Sequence, residues 1–165
     1  MNRAASLAAQ PYFFGGTTMA KKPTADDARL ILELYDLRRE PEMRKARQWW
    51  LGTFWPTQVD DFLKVQAAAG TPENNWYRQV SGYWSMAANM VLKGAANEAL
   101  FFDNSFCGEM YFLFAKVRPF LKELREKTNN PALFGNIEKA IMGSKVARAR
   151  FALLEKNVAA MRAAR

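Results

Sequence analysis

Apolar residues recur about once per helical turn along most of this chain. Thr24 offers an N-cap hydroxyl, and Asp26 and Asp27 suit the positive end of a helix dipole. Leu30, Leu34 and Leu37, with Ile31 beside them, then keep helical spacing. Pro41 cannot donate a bond inside a helix but fits a first turn, so one helix ends near Arg39 and a second begins near Pro41. The second carries Met43, Ala46, Trp50 and Phe54 on one side and closes at Pro56. Thr57 caps a shorter helix with Val59, Phe62 and Leu63 inward, ended by Gly70, and Thr71 to Asn74 reads as a loop. From Asn75, a period of about 3.6 runs through Trp76, Val80, Tyr83, Trp84, Ala87 and Val91 to a stop at Gly94. A short helix around Asn97–Phe102 follows.

Asp103 or Asn104 caps a long stripe of Phe106, Met110, Leu113, Phe114, Val117, Leu121 and Leu124, which Pro119 should kink or divide. Asn129-Asn130-Pro131 is a turn, and Phe134, Ile137 and Ile141 line another short helix. No stretch alternates apolar and polar residues, and no hairpin signal occurs. The pattern predicts an all-α, single-domain helical bundle over residues 24–143, of about six or seven helices with the last segment counted.

The two ends differ from this body. Residues 1–23 mix small residues, Pro11 and the pair Gly15-Gly16 without a sustained period, and are expected to be a disordered extension; Met19 followed by AKKP reads like a second start. AASLAAQPYFF is interrupted by Gln10 and Pro11 and makes no convincing signal peptide. Residues 144–165 form a basic C-terminal helix in which Ala147, Phe151, Leu154, Val158 and Met161 trace a heptad seam. About two heptads are marginal alone, so the seam must be buried on the parent domain or on another subunit. Phe151, Leu154, Val158 and Met161, with Arg148 and Arg150, are therefore the candidate interaction surface.

Charge sharpens the contrast between ends and body. The chain has 24 basic and 16 acidic residues. Arg3, Lys21 and Lys22 lie at one end; Lys145, Arg148, Arg150, Lys156, Arg162 and Arg165 lie at the other against Glu155 alone, which leaves the body neutral. A dedicated nucleic-acid fold builds its basic face into the domain. Basic termini fit a protein partner first and a nucleic-acid or ribosome-associated role second. The chain has no histidine and one cysteine. That removes imidazole catalysis, histidine-ligated metal, cysteine clusters and internal disulfides, and it fits a reducing, cytoplasmic setting. No apolar run approaches the roughly 20 residues of a membrane span.

Two stretches carry a family likeness. LYDLRREPEMRKARQWW and FFDNSFCGEMYFLFAKVRPFLKELREKTNNPALFGNIEKAI resemble small bacterial proteins of the domain-of-unknown-function 4760 type, over roughly Ala28 to Ile141. The resemblance implies an α-helical fold and no known activity, so it transfers no functional residues.

Few constellations could carry chemistry. The five tryptophans read as core or interface ahead of an aromatic-walled ligand pocket. Trp49 and Trp50 are about 100° apart on an α-helix, so both cannot face one core centre, and one could lie at an interface or pocket rim. Glu109 shares an apolar segment with Cys107, Tyr111, Arg118 and Arg125; Glu109, Arg118, Arg125 and Trp49 form the candidate polar or pocket cluster. A carboxylate there could serve as an acid or base, or could pair structurally with Arg44 or Arg47. Asp26-Asp27 and Asp60-Asp61 sit in first helical turns, where the dipole accounts for them, and FFGGTT lacks the lysine of a phosphate loop. The sequence points to no catalytic residue, metal ligand or cofactor. It suggests a non-enzymatic interaction protein that self-associates or docks to a protein partner.

Overall fold

Helix α1 spans Ala25–Leu37, α2 Pro41–Gln48, α3 Val59–Ala67, α4 Pro72–Leu92, α5 Glu98–Phe101, α6 Asn104–Val117, α7 Leu121–Lys127, α8 Gly135–Gly143 and α9 Lys145–Ala163. A π turn, Trp49–Thr53, continues α2, and a 3₁₀ turn, Arg118–Phe120, joins α6 to α7. The structure, a computed structural model, describes residues 22–165. The extension expected over residues 1–23 therefore lies almost wholly outside the described residues. Among them there is no strand, and the fold is all-α as the periodicity predicts.

The helix boundaries follow local chemistry. Thr24 and Asp27 close a capping box: Thr24 Oγ1 accepts from the Asp27 amide, and Asp27 Oδ2 accepts from the Thr24 amide at 2.8 Å. Thr71 Oγ1 accepts from the Asn74 amide, and Pro72 fills the first helical position. Thr71 to Asn74, expected as a loop, is thus the start of α4. Gly70 and Gly94 adopt φ of 85° and 74°, which end the preceding helices where the sequence places their stops. Pro119 divides α6 from α7 through the 3₁₀ turn. Ser144 caps α9 by accepting from the Ala147 amide.

The longest helix, α4, packs against α2, α3 and α8, while α6 packs against α5, the π turn, α8 and α9. Trp50, Phe62, Trp84, Phe101, Met110, Tyr111, Phe114 and Phe151 are all but fully buried between them. Most of the heptad seam docks at home: Ala147, Phe151 and Val158 are buried, Leu154 is half-buried, and Phe151 stacks obliquely on Phe114 at 5.4 Å, while Met161 at its end stays exposed. No helix among the described residues is long and apolar enough to cross a membrane.

Candidate functional site

Helix α6 is strongly apolar, yet it carries two buried charges seven residues apart. Seven residues return a helix to nearly the same direction. Glu109 and Lys116 consequently face one side, and both grip the segment made by α2 and the π turn. Glu109 Oε2 accepts from Arg47 Nε of α2 at 2.6 Å and from Arg38 Nη2, just beyond α1, at 3.2 Å. Its other oxygen accepts from Trp84 Nε1 at 3.0 Å. Arg38 also donates to the Phe106 carbonyl, and its guanidinium lies 5.1 Å from the Trp84 ring centre. Both carboxylate oxygens are therefore engaged by donors from three helices or their caps, as a buried charge requires.

Lys116 is 0 % exposed. Its Nζ donates to the carbonyls of Trp50 (2.5 Å), Phe54 (2.7 Å) and Leu51 (3.3 Å). A helical segment ends with orphan carbonyls and the negative end of its dipole. An ammonium group, with three N–H donors, matches that terminus. Nζ also sits 3.9 Å from the Trp55 ring centre and 4.9 Å from that of Phe112. The end of α9 covers the place: Arg162 donates to the Lys116 carbonyl at 2.9 Å, and the Arg165 guanidinium lies 4.3 Å from the Trp55 ring. Burial first, then the charges of Arg165 and Arg162, push the Lys116 amine down from 10.5 to about 7. The three carbonyls and two ring faces oppose that by favouring the ammonium.

The π turn resolves the tryptophan pair. Phe54 closes it by donating to the Trp49 carbonyl, five residues back. The wider turn lets both indoles point inward. Trp49 stacks on Phe54 at 4.5 Å and 15°, while Trp50 stacks on Tyr77 at 5.4 Å and 25°. Trp49 and Trp50 are both buried, as the core reading of the pair expects, and the π turn supplies the change of direction that an α-helix would not.

The polar cluster expected from sequence also separates. Glu109 pairs with Arg47, one of the two partners considered, whereas Arg44 is exposed. Arg118 instead binds Glu155 of α9 at 2.7 Å, and Arg125 binds Glu138 of α8 at 2.7 Å. Arg118 and Arg125 share an open groove of about 640 Å³ with Lys122 and Glu126, away from Glu109 and Trp49. Of the expected interaction surface, Phe151 and Val158 are inaccessible because α9 packs on α6 and α8. Arg150 is half-buried and donates to the Phe102 carbonyl, while Arg148 and Met161 are exposed. Cys107 is buried, and burial lifts its thiol to about 11, so it packs as a small hydrophobe. Among the described residues, no three His, Cys, Asp or Glu side chains form a group that could hold a metal ion.

Sequence reasoning missed Arg38 and Lys116. The signal for Lys116 was available: it is the single charge in the run MYFLFAKV, and it repeats Glu109 at a spacing of seven.

The sequence profile of a family described as Domain of unknown function (DUF4760) matches residues 23–143, most of the chain. The chain belongs to the DUF4760 family. The matched DUF4760 segment runs from the cap of α1 to the end of α8 and contains both buried charge centres; α9 follows it. No curated protein and no solved structure gives a significant match.

Proposed function

We propose that this DUF4760 protein is a non-enzymatic interaction protein of the cytoplasm that self-associates or docks to a protein partner through exposed helical faces. The observation that carries the reading is the distribution of uncovered apolar side chains. Of the eight large hydrophobics left exposed among the described residues, Leu32, Tyr35 and Leu37 lie on α1, and Val146, Leu153 and Met161 lie on α9. Val146, Leu153 and Met161 fall within about 80° of one another around α9, and Leu32 and Tyr35 within about 60° on α1, with Leu37 on the far side of Leu32. Exposed apolar patches of this kind mark interaction sites more often than single scattered side chains do. The buried polar groups support the same reading. Glu109 and Lys116 spend their hydrogen-bonding capacity on the fold itself, holding α2 and the π turn to α6.

Photo-crosslinking tests it. A crosslinking residue at Leu153, introduced in the protein's native cells, is expected to capture protein, while the same residue at the exposed Glu73 of α4 captures little. Equal or absent capture at the two positions would overturn the reading. A second reading, nucleic-acid binding, is favoured by the basic side chains Lys145, Arg148 and Lys156 exposed on α9. It predicts binding to RNA that falls steeply with salt as counterions are released.

A further inference from the structure

The two uncovered helix faces are complementary in charge. On α1, Asp26 is paired with Arg29 at 2.6 Å, but Glu33 and Asp36 are exposed and make no ion pair among the described residues. They line a shallow groove of about 510 Å³ with Leu32 and Leu37. Leu32 is 67 % exposed, and Tyr35, one turn on, is also exposed. On α9 the only acid, Glu155, is already held by Arg118. Lys145, Arg148 and Lys156 are exposed without an ion pair among the described residues. Leu153, 68 % exposed, walls a groove of about 340 Å³ between α6 and α9, with Tyr111, Arg150 and Asn157. Small side chains, Ala149, Ala152 and Ala160, are exposed beside Leu153 and permit close approach of another helix.

We propose that the partner is a second copy of this chain, with α1 of one protomer laid on α9 of the other. Each face has a prominent leucine to bury and a groove to receive one, and the anionic rim of α1 meets the cationic rim of α9. An apolar centre ringed by opposite charges is the composition of a specific protein contact, in which the charges set register and exclude like faces. Two α1 faces, or two α9 faces, would repel. The pairing is thus α1 to α9, and a twofold arrangement satisfies it twice. This proposal rests on the interaction reading above and narrows it to one occupant.

Sedimentation velocity on the purified full chain tests it with a charge-reversed pair. Glu33→Lys with Asp36→Lys makes a protein whose two faces are both cationic. Lys145→Glu with Arg148→Glu and Lys156→Glu makes one whose two faces are both anionic. All five positions are exposed, so folding is preserved, which circular dichroism verifies. The wild type is expected to associate, and each reversed protein alone should bind itself about tenfold more weakly or worse. An equimolar mixture of the two should restore association, because both contacts become opposite in charge. Three outcomes overturn the proposal: a wild type that stays monomeric, reversed proteins that associate like wild type, or a mixture that fails to associate. If, besides, the wild type comigrates with added single-stranded RNA, the basic face belongs to nucleic acid. The broader reading fails separately, when the crosslinker at Leu153 captures no protein in cells; capture of a different protein sinks the second-copy proposal alone.

Discussion

Arg38 Nη2 lies 3.2 Å from Glu109 Oε2, joining the end of α1 to the middle of α6 across 71 positions of sequence. The contact is buried on both sides, with side-chain exposures of 8 % and 5 %. It closes a cluster in which one carboxylate serves two arginines and an indole. Breaking a buried pair from one side costs more than the pair contributes, because the remaining charge is stranded.

Glu109→Ala is therefore expected to destabilise the protein by about 3–5 kcal/mol. Arg47→Ala should cost less, since its side chain is a quarter exposed and can be rehydrated. Urea denaturation of the two variants measures both, and an Arg47→Ala cost equal to that of Glu109→Ala would contradict the ranking.

Lys116 gives the fold a pH dependence of definite sign. Its folded value, near 7, lies below the ordinary 10.5, so between those values the unfolded chain binds the proton more strongly. The stability this group contributes is lowest below about pH 7 and rises as pH climbs toward 10.5. The stability of wild type relative to Lys116→Met, taken from urea curves at about pH 6 and about pH 9, should increase with pH. A flat difference would show an ammonium held at its ordinary value by the carbonyls of Trp50, Leu51 and Phe54.

Helix α9 contributes to the core through one face and is free on the other. Phe151→Ala is expected to cost about 3–5 kcal/mol, and Leu153→Ala to lie within about 0.5 kcal/mol of wild type. Thermal or urea unfolding separates them. Comparable costs would mean that α9 does not dock as the burial of Phe151 indicates.

Gly94 ends α4 with φ of 74° and has nothing within 4 Å of the position a Cβ would take. Gly94→Ala should accordingly cost about 1–2 kcal/mol through backbone strain alone, read as a lowered urea midpoint. No loss would indicate a different helix ending.

Much of the architecture was legible because it is written in short-range chemistry. Thr24 and Asp27, Pro41, Gly94 and Pro119 each act within one helical turn, and each marks its boundary in the fold. Thr71 was misread because Pro72 and Asn74 look like loop residues until the hydroxyl of Thr71 is seen to cap them. The π turn was not legible, since a five-residue closure leaves no periodic trace in WWLGT. Glu109 stood out as a lone acid on an apolar helix, but its partners were set by tertiary packing. Arg38 arrives from 71 residues away, and nothing in its neighbourhood distinguishes it from Arg39, which is exposed. The seam of α9 is buried, wholly or in part, over all but Met161, and only the fold shows that α6 and α8 are what it packs on.

The buried charges are assigned to holding the fold and the outer faces of α1 and α9 to contact. Sedimentation velocity on Glu109→Gln and Leu153→Glu, side by side with urea denaturation, tests that division most directly. Glu109→Gln should be less stable than wild type yet associate as wild type does, while Leu153→Glu should keep its stability and lose association. Association lost in Glu109→Gln while folded, or retained in Leu153→Glu, would contradict the account.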